Sequence, residues 1–151
     1  MKSLITKLIE KNISITTAES CTGGLIASEI TKYAGVSSIY PGSVVSYSNE
    51  IKMKLLKVKE QTLKEFGAVS KECVLEMLDG VGELMGADIA VAVSGIAGPD
   101  GGTKDKPVGL VFIGVKFKDN SLVEKHVFDG DRNEVQQKAK NRAFELVEKL
   151  I

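Results

Sequence analysis

Ser20 lies in residues 16–24, TTAESCTGG, where a β-branched run gives way to small polar residues and two glycines. A serine there can act as a nucleophile. The backbone N–H groups near Cys21, Thr22, Gly23 and Gly24, at the start of a following helix, would attract an anion or a developing oxyanion. The same residues also make an ordinary turn, because Ser20 or Thr22 can cap a helix N-terminus. By residue type alone the cap is the more economical reading. Cys21 is a lesser rival nucleophile; otherwise it and Cys73 read as small hydrophobes. Glu19 has no evident role.

A serine hydroxyl is a weak nucleophile without a base. A Ser-His-Asp arrangement must use His126, the single histidine, and that residue sits in an alternating segment as a surface strand position. No G-x-S-x-G elbow is present. Lysine is the remaining common base. Lys52 falls in the first turn of a helix that begins after Ser48, where the positive end of the helix dipole disfavours an ammonium. Desolvation there would lower its pKa further. Tyr47 precedes the same helix at a strand end and is placed to relay a proton or orient the lysine. Its alternative is an ordinary strand aromatic.

Two further segments carry binding chemistry. In SGIAGPDGGTKDKPVG, Gly95, Gly98, Gly101 and Gly102 follow a buried strand and expose backbone N–H groups suited to phosphate or carboxylate. The spacing fits neither a Walker A loop nor G-x-G-x-x-G, and a plain surface loop explains it equally well. In FDGDRNE, Asp131 is a helix cap and Arg132 a cation at a helix start. That placement is locally unfavourable, so the guanidinium reaches for an anion or is simply exposed.

The 151 residues fit one domain, residues 1–151, with enough chain for a real core. Twenty basic and 20 acidic residues cancel, which gives no electrostatic case for nucleic acid or an anionic membrane. With no Trp, base-stacking platforms are not expected either. No apolar run has membrane-spanning length and the N-terminus does not read as a signal peptide. The expected location is cytoplasmic, with both thiols reduced. Cysteine and histidine are too few and too scattered for a zinc site, so no metal and no cofactor are expected.

These side chains need elements to hold them. Residues 2–11 carry apolar positions at helical spacing, and 13–17 alternate as a strand. A helix is expected from about Thr22 and a strand over 43–48. Ser48 caps a helix with Ile51, Leu55 and Leu56 inward. A short helix closes at Gly67. Ser70 caps a longer one with Cys73, Val74, Met77, Leu78, Val81 and Leu84 inward, ending at Gly86. Residues 88–95 form a central buried strand. Two strands joined at Asp119 and Asn120 follow, then a helix from Asp131 with Val135, Ala139, Ala143, Leu146, Val147 and Leu150 inward. Early alternation and later consecutive strands predict a mixed sheet with helices on both faces.

Together TTAESCTGG, GSVVSYSNEIK, GAVS, SGIAGPDGGTKDKPVG and GDR, in this order and over nearly the whole chain, resemble the CinA C-terminal domain family. That family includes stand-alone nicotinamide-nucleotide amidases of the PncC type. The resemblance implies a three-layer α/β/α sandwich and a homodimer or higher homo-oligomer. It implies hydrolysis of nicotinamide mononucleotide to nicotinic acid mononucleotide and ammonia, without a metal. It implies Ser20, Tyr47 and Lys52 as the catalytic group, Ser94 as a substrate-site hydroxyl and Arg132 as a phosphate ligand. Cys21, Thr22, Gly23, Gly95, Gly98, Gly101 and Gly102 would line the substrate site. The chain looks like the stand-alone form, without the family's N-terminal domain. Gln136 stands where relatives often carry a second arginine, which implies a different grip on substrate. Two other readings stay open: a non-catalytic nucleotide-binding module linked to competence or DNA damage, and an amidase for another amide.

Overall fold

The computed structural model describes residues 1–151. Strand β1 (Ile15–Glu19) is wholly buried. It pairs in parallel with β2 (Ser43–Val45) on one side and β3 (Ile89–Gly95) on the other. Strand β4 (Leu110–Phe117) runs antiparallel to β3, and β5 (Asn120–Val127) antiparallel to β4. The sheet order is β2-β1-β3-β4-β5, so the apolar run at 88–95 becomes the middle strand. Six helices surround this sheet: α1 (Lys2–Glu10), α2 (Leu25–Ile30), α3 (Asn49–Leu56), α4 (Glu60–Phe66), α5 (Lys71–Met85) and α6 (Arg132–Leu150).

Side chains alternate across a strand, and that period divides the core in two. Ile15, Ile89, Val91 and Val93 face Leu4, Leu8, Ile26, Ala139 and Leu146, from α1, α2 and α6. Ala18, Ala90 and Ala92 face Leu56, Val74, Met77 and Leu78, from α3 and α5. The result is the expected three-layer α/β/α sandwich with a mixed sheet. Thr17 and Glu19 share the parity of Ile15, so their side chains point toward α2. That register decides what Glu19 does.

Local signals placed most helix ends. Ser48 Oγ accepts from Ile51 N–H at 3.2 Å, and Ser70 Oγ accepts from Cys73 N–H at 3.1 Å. Asp131 and Glu134 form a reciprocal capping box at the start of α6.

Several expectations need correction. β2 has three residues, and the chain leaves the sheet at Ser46. α2 begins at Leu25 rather than near Thr22; Gly24, at φ 99°, precedes it, and Thr22 caps nothing. The β4–β5 turn uses Lys118 and Asp119, because Phe117 pairs with Asn120. Leu84 is 52% exposed, because at this end of α5 it is Met85 beside it that packs against the core. In α3, Leu55 is exposed while Lys52 and Leu56 are buried, so the inward face is turned onto the lysine.

Gly80 allows that face to close. A Cβ at Gly80 would stand 1.9 Å from Leu56 O, a backbone atom that cannot step aside. Alanine would raise intrinsic helix propensity by roughly 1 kcal/mol, but here it drives α5 off α3. Gly80→Ala is expected to destabilise the protein by about 1–3 kcal/mol in denaturant titration. Unchanged or raised stability would show that the two helices do not make this close approach.

Candidate active site

The three parallel strands point their carboxyl ends at one cleft of about 270 Å³. Ligands in α/β sheets commonly bind at such strand ends. Ser20 follows β1, Tyr47 and Lys52 follow β2, and Ser94 lies near the end of β3; all four line the cleft. Cys21, Gly95, Gly98, Gly101 and Arg132 line it too, whereas Thr22, Gly23 and Gly102 do not. Thr22 is buried with its hydroxyl turned to Glu19, Gly23 is exposed, and Gly102 packs against Val108. A larger depression of about 440 Å³ lies at the opposite end of β3; its Lys116 is already paired with Asp79 at 2.7 Å.

Lys52 is 1% exposed. Its Nζ lies 3.1 Å from Ser20 Oγ, 2.7 Å from Ser46 O and 3.4 Å from Tyr47 O, and no carboxylate pairs with it. Burial, above all else, pulls its ammonium below the ordinary lysine value of 10.5. The partner set suits the neutral amine. Two carbonyls can only accept and so take its two N–H groups, which leaves the nitrogen lone pair for the Ser20 hydroxyl. The chain thus holds a hydroxyl and a buried amine in direct contact.

Tyr47 is divided between two tasks. Its carbonyl meets Lys52, but its ring is 61% exposed. Its hydroxyl accepts from Arg132 Nη2 at 2.8 Å, not from the lysine. Arg132 Nη1 donates to Gly98 O at 2.6 Å, so the guanidinium bridges the cleft rim. Ser94 Oγ donates to Ala68 O at 2.8 Å and can still accept. The N–H groups of Ala97, Gly98, Asp100, Gly101 and Gly102 have no acceptor in the chain.

The rivals of Ser20 are engaged elsewhere. Burial pushes the Cys21 thiol up to about 12, which keeps it protonated and unreactive. His126 Nε2 lies 2.7 Å from Glu124 and the ring stacks on Phe128, outside the cleft. No three His, Cys, Asp or Glu side chains converge as a metal site requires.

A family model described as the CinA C-terminal domain matches residues 1–151. The chain belongs to the CinA C-terminal domain family. It is 50% identical to a CinA-like protein of Fusobacterium nucleatum, an alignment covering 94% of this chain and 34% of that protein. It is 45% identical to a CinA-like protein of Thermotoga neapolitana, covering 100% and 37%. The chain therefore spans about a third of the length of the curated relatives it matches. Among solved structures, competence damage-inducible protein A (ComA) from Klebsiella pneumoniae aligns with a TM-score of 0.93 at 38% identity, covering 98% of this chain and 94% of that one. A competence-damaged protein (CinA) superfamily member from Escherichia coli aligns with a TM-score of 0.95 at 33% identity, covering 99% and 87%. No helix of this CinA-family chain is long and apolar enough to cross a membrane.

Glu19 is the site residue that sequence reasoning missed. It is fully buried, and its two carboxylate oxygens accept from Thr17 Oγ1, Thr22 Oγ1, Ile26 N–H and Ala27 N–H at 2.7–2.9 Å. The last two are the orphan donors of the α2 start, so an acidic side chain from the strand before does the capping. The start of α2 therefore does not offer these donors to a ligand. Cys21, Thr22 and Gly24 keep N–H groups without an acceptor, while Gly23 N–H closes the turn onto Ser20 O. The available signal was an acidic residue directly before the turn, at a strand position whose parity faces α2.

Two outcomes are expected. Glu19→Ala strands two backbone donors and lowers stability by about 2–4 kcal/mol, read from the denaturant midpoint. For Lys52 the folded-state pKa is lowered, so the unfolded chain binds more protons between that value and 10.5. The burial penalty is fully present below the folded value and is relieved as pH rises toward 10.5. Lys52→Met is therefore more stable than wild type near pH 7, and its advantage shrinks as pH climbs. A pH-independent difference in thermal midpoint would contradict a depressed Lys52.

Proposed function

We propose that the chain is a serine amidase that hydrolyses nicotinamide mononucleotide to nicotinic acid mononucleotide and ammonia. The observation that carries the reading is the 3.1 Å contact between Ser20 Oγ and a buried Lys52 Nζ that has no carboxylate partner. Family membership supports it, through the motifs that contain Ser20, Tyr47, Lys52 and Arg132.

Ser20 Oγ attacks the carboxamide carbon, and its proton passes to the neutral amine of Lys52. Ser46 O and Tyr47 O then steady the ammonium that forms. The unpaired N–H of Cys21, on the cleft lining beside Ser20, faces the oxyanion, an interaction worth about 3–4 kcal/mol per donor in serine hydrolases. Lys52 returns the proton to the departing ammonia. Water, activated by the same amine, cleaves the acyl-enzyme. Arg132 keeps spare donors after its bonds to Gly98 and Tyr47. With the unpaired N–H groups of Ala97, Gly98, Asp100 and Gly101 it suits a phosphate at the rim, away from the reacting carboxamide.

Ammonia release from nicotinamide mononucleotide by the purified protein tests this reading. Ser20→Ala is expected to lower kcat by about 10³-fold or more. The base must be neutral, so kcat/KM rises with pH along a limb governed by Lys52, below its ordinary 10.5. That limb disappears in Lys52→Met, and Lys52→Arg, which stays charged, is inactive. Full activity in Ser20→Ala removes the nucleophile assignment. Tight nucleotide binding without turnover of any amide points instead to a binding module.

A further inference from the structure

Gln136 lies one helical turn beyond Arg132, on the same face of α6. Its Nε2 donates to Cys21 O at 2.8 Å, tying α6 to the turn after β1. This is the only partner of that carbonyl. It falls on the peptide joining Cys21 to Thr22, immediately after the residue read as the nucleophile.

A trans peptide is planar, with its C=O and N–H on opposite sides. Holding Cys21 O toward α6 therefore holds Thr22 N–H away from α6, and neither that N–H nor the one of Cys21 meets an acceptor in the chain. From the other side Glu19 Oε1 accepts from Thr22 Oγ1 at 2.7 Å, so the same peptide is restrained from β1 as well. Without the Gln136 amide, the carbonyl has no tether. The peptide can then rotate and turn an oxygen, rather than an N–H, toward developing negative charge.

We propose that Gln136 is a positioning residue: by fixing the Cys21–Thr22 peptide it holds the turn in the shape that presents the Cys21 N–H, on the cleft lining, as an oxyanion donor beside Ser20. The proposal rests on the reading of Ser20 as nucleophile but not on the identity of the substrate. Gln136 itself touches neither substrate nor reacting atoms.

The test uses a fluorophosphonate probe. The Ser20 Oγ–P bond forms, fluoride leaves and the serine proton goes to Lys52, so labelling needs the oxyanion donors but no particular substrate. Gln136→Ala is expected to slow Ser20 labelling, and kcat on nicotinamide mononucleotide, by about 10–100-fold. Affinity for nicotinic acid mononucleotide and the thermal midpoint stay near wild type. Gln136→Glu, which cannot donate when ionised, behaves like the alanine variant, and Gln136→Lys, which can, recovers most of the lost rate. Labelling and kcat within about twofold of wild type in Gln136→Ala overturn the proposal. So does an equal loss of nucleotide affinity and rate, which a general collapse of the cleft would give. Ser20 labelling that depends on Gln136, without turnover of nicotinamide mononucleotide, upholds this proposal and removes the substrate reading. No labelling of Ser20 in the wild-type protein removes both.

Discussion

The desolvated amine of Lys52 is the constraint around which the cleft is arranged. A buried cation without a carboxylate partner is expensive, and the usual response is a lowered pKa. The surroundings accept that cost rather than cancel it. Ser46 and Tyr47 offer carbonyls, which steady the nitrogen in either protonation state, and no acidic side chain is brought close enough to lock in the ammonium. A carboxylate at either carbonyl position would pair the lysine, raise its pKa and bar it from the proposed role of base. For the proposed base, the absence of a counter-ion is thus a condition of its chemistry.

Topology explains why the cleft forms where it does. The chain leaves β1 toward β2 through α2 on one face of the sheet, then returns from β2 to β3 through α3, α4 and α5 on the other. The connections part on opposite faces around β1, and the opening between them lies at its carboxyl end. Ser20 is the first residue beyond that end. Lys52 reaches it from a helix on one face. Gln136 and Arg132 approach from α6, which packs on the other. Residues 32 and 116 positions from Ser20 therefore meet at one short turn.

What was legible in the sequence follows the range of each interaction. Caps are local, so Ser48, Ser70 and Asp131 could be read from residue types three or four positions apart. The order of elements and the mixed sheet followed from apolar periodicity, which records burial. The misses involve partners distant in sequence. Thr22 has the chemistry of a cap, but Glu19 already holds the α2 donors, and only strand parity shows it. The α3 face was misjudged because periodicity counts a lysine as polar, whereas this one is buried against Ser20 and Leu55 is not. Tyr47 was expected to serve the lysine through its hydroxyl; the hydroxyl meets Arg132 and the backbone carbonyl meets the lysine. Residue type announces a functional group, but not which of its atoms is used.

Net neutrality of the chain and polarity of the cleft are separate quantities, and the second bears on ligands. Twenty charges of each sign cancel over the surface, yet the cleft gathers Lys52 and Arg132 with unpaired backbone N–H groups on two loops. Donors of this kind carry partial positive charge at fixed positions and need no reorganisation when an anion arrives. Asp100 is the one acidic side chain on the lining, and it sits on the glycine loop rather than beside Ser20. The field therefore favours negative charge at two places: the rim, where Arg132 stands, and the turn after Ser20. A substrate with a fixed anion at one end and an oxyanion developing at the other matches both. Under the proposed reaction, a neutral amide without the distant anion would meet only the second, and would lose the binding energy needed to hold its carboxamide against Ser20.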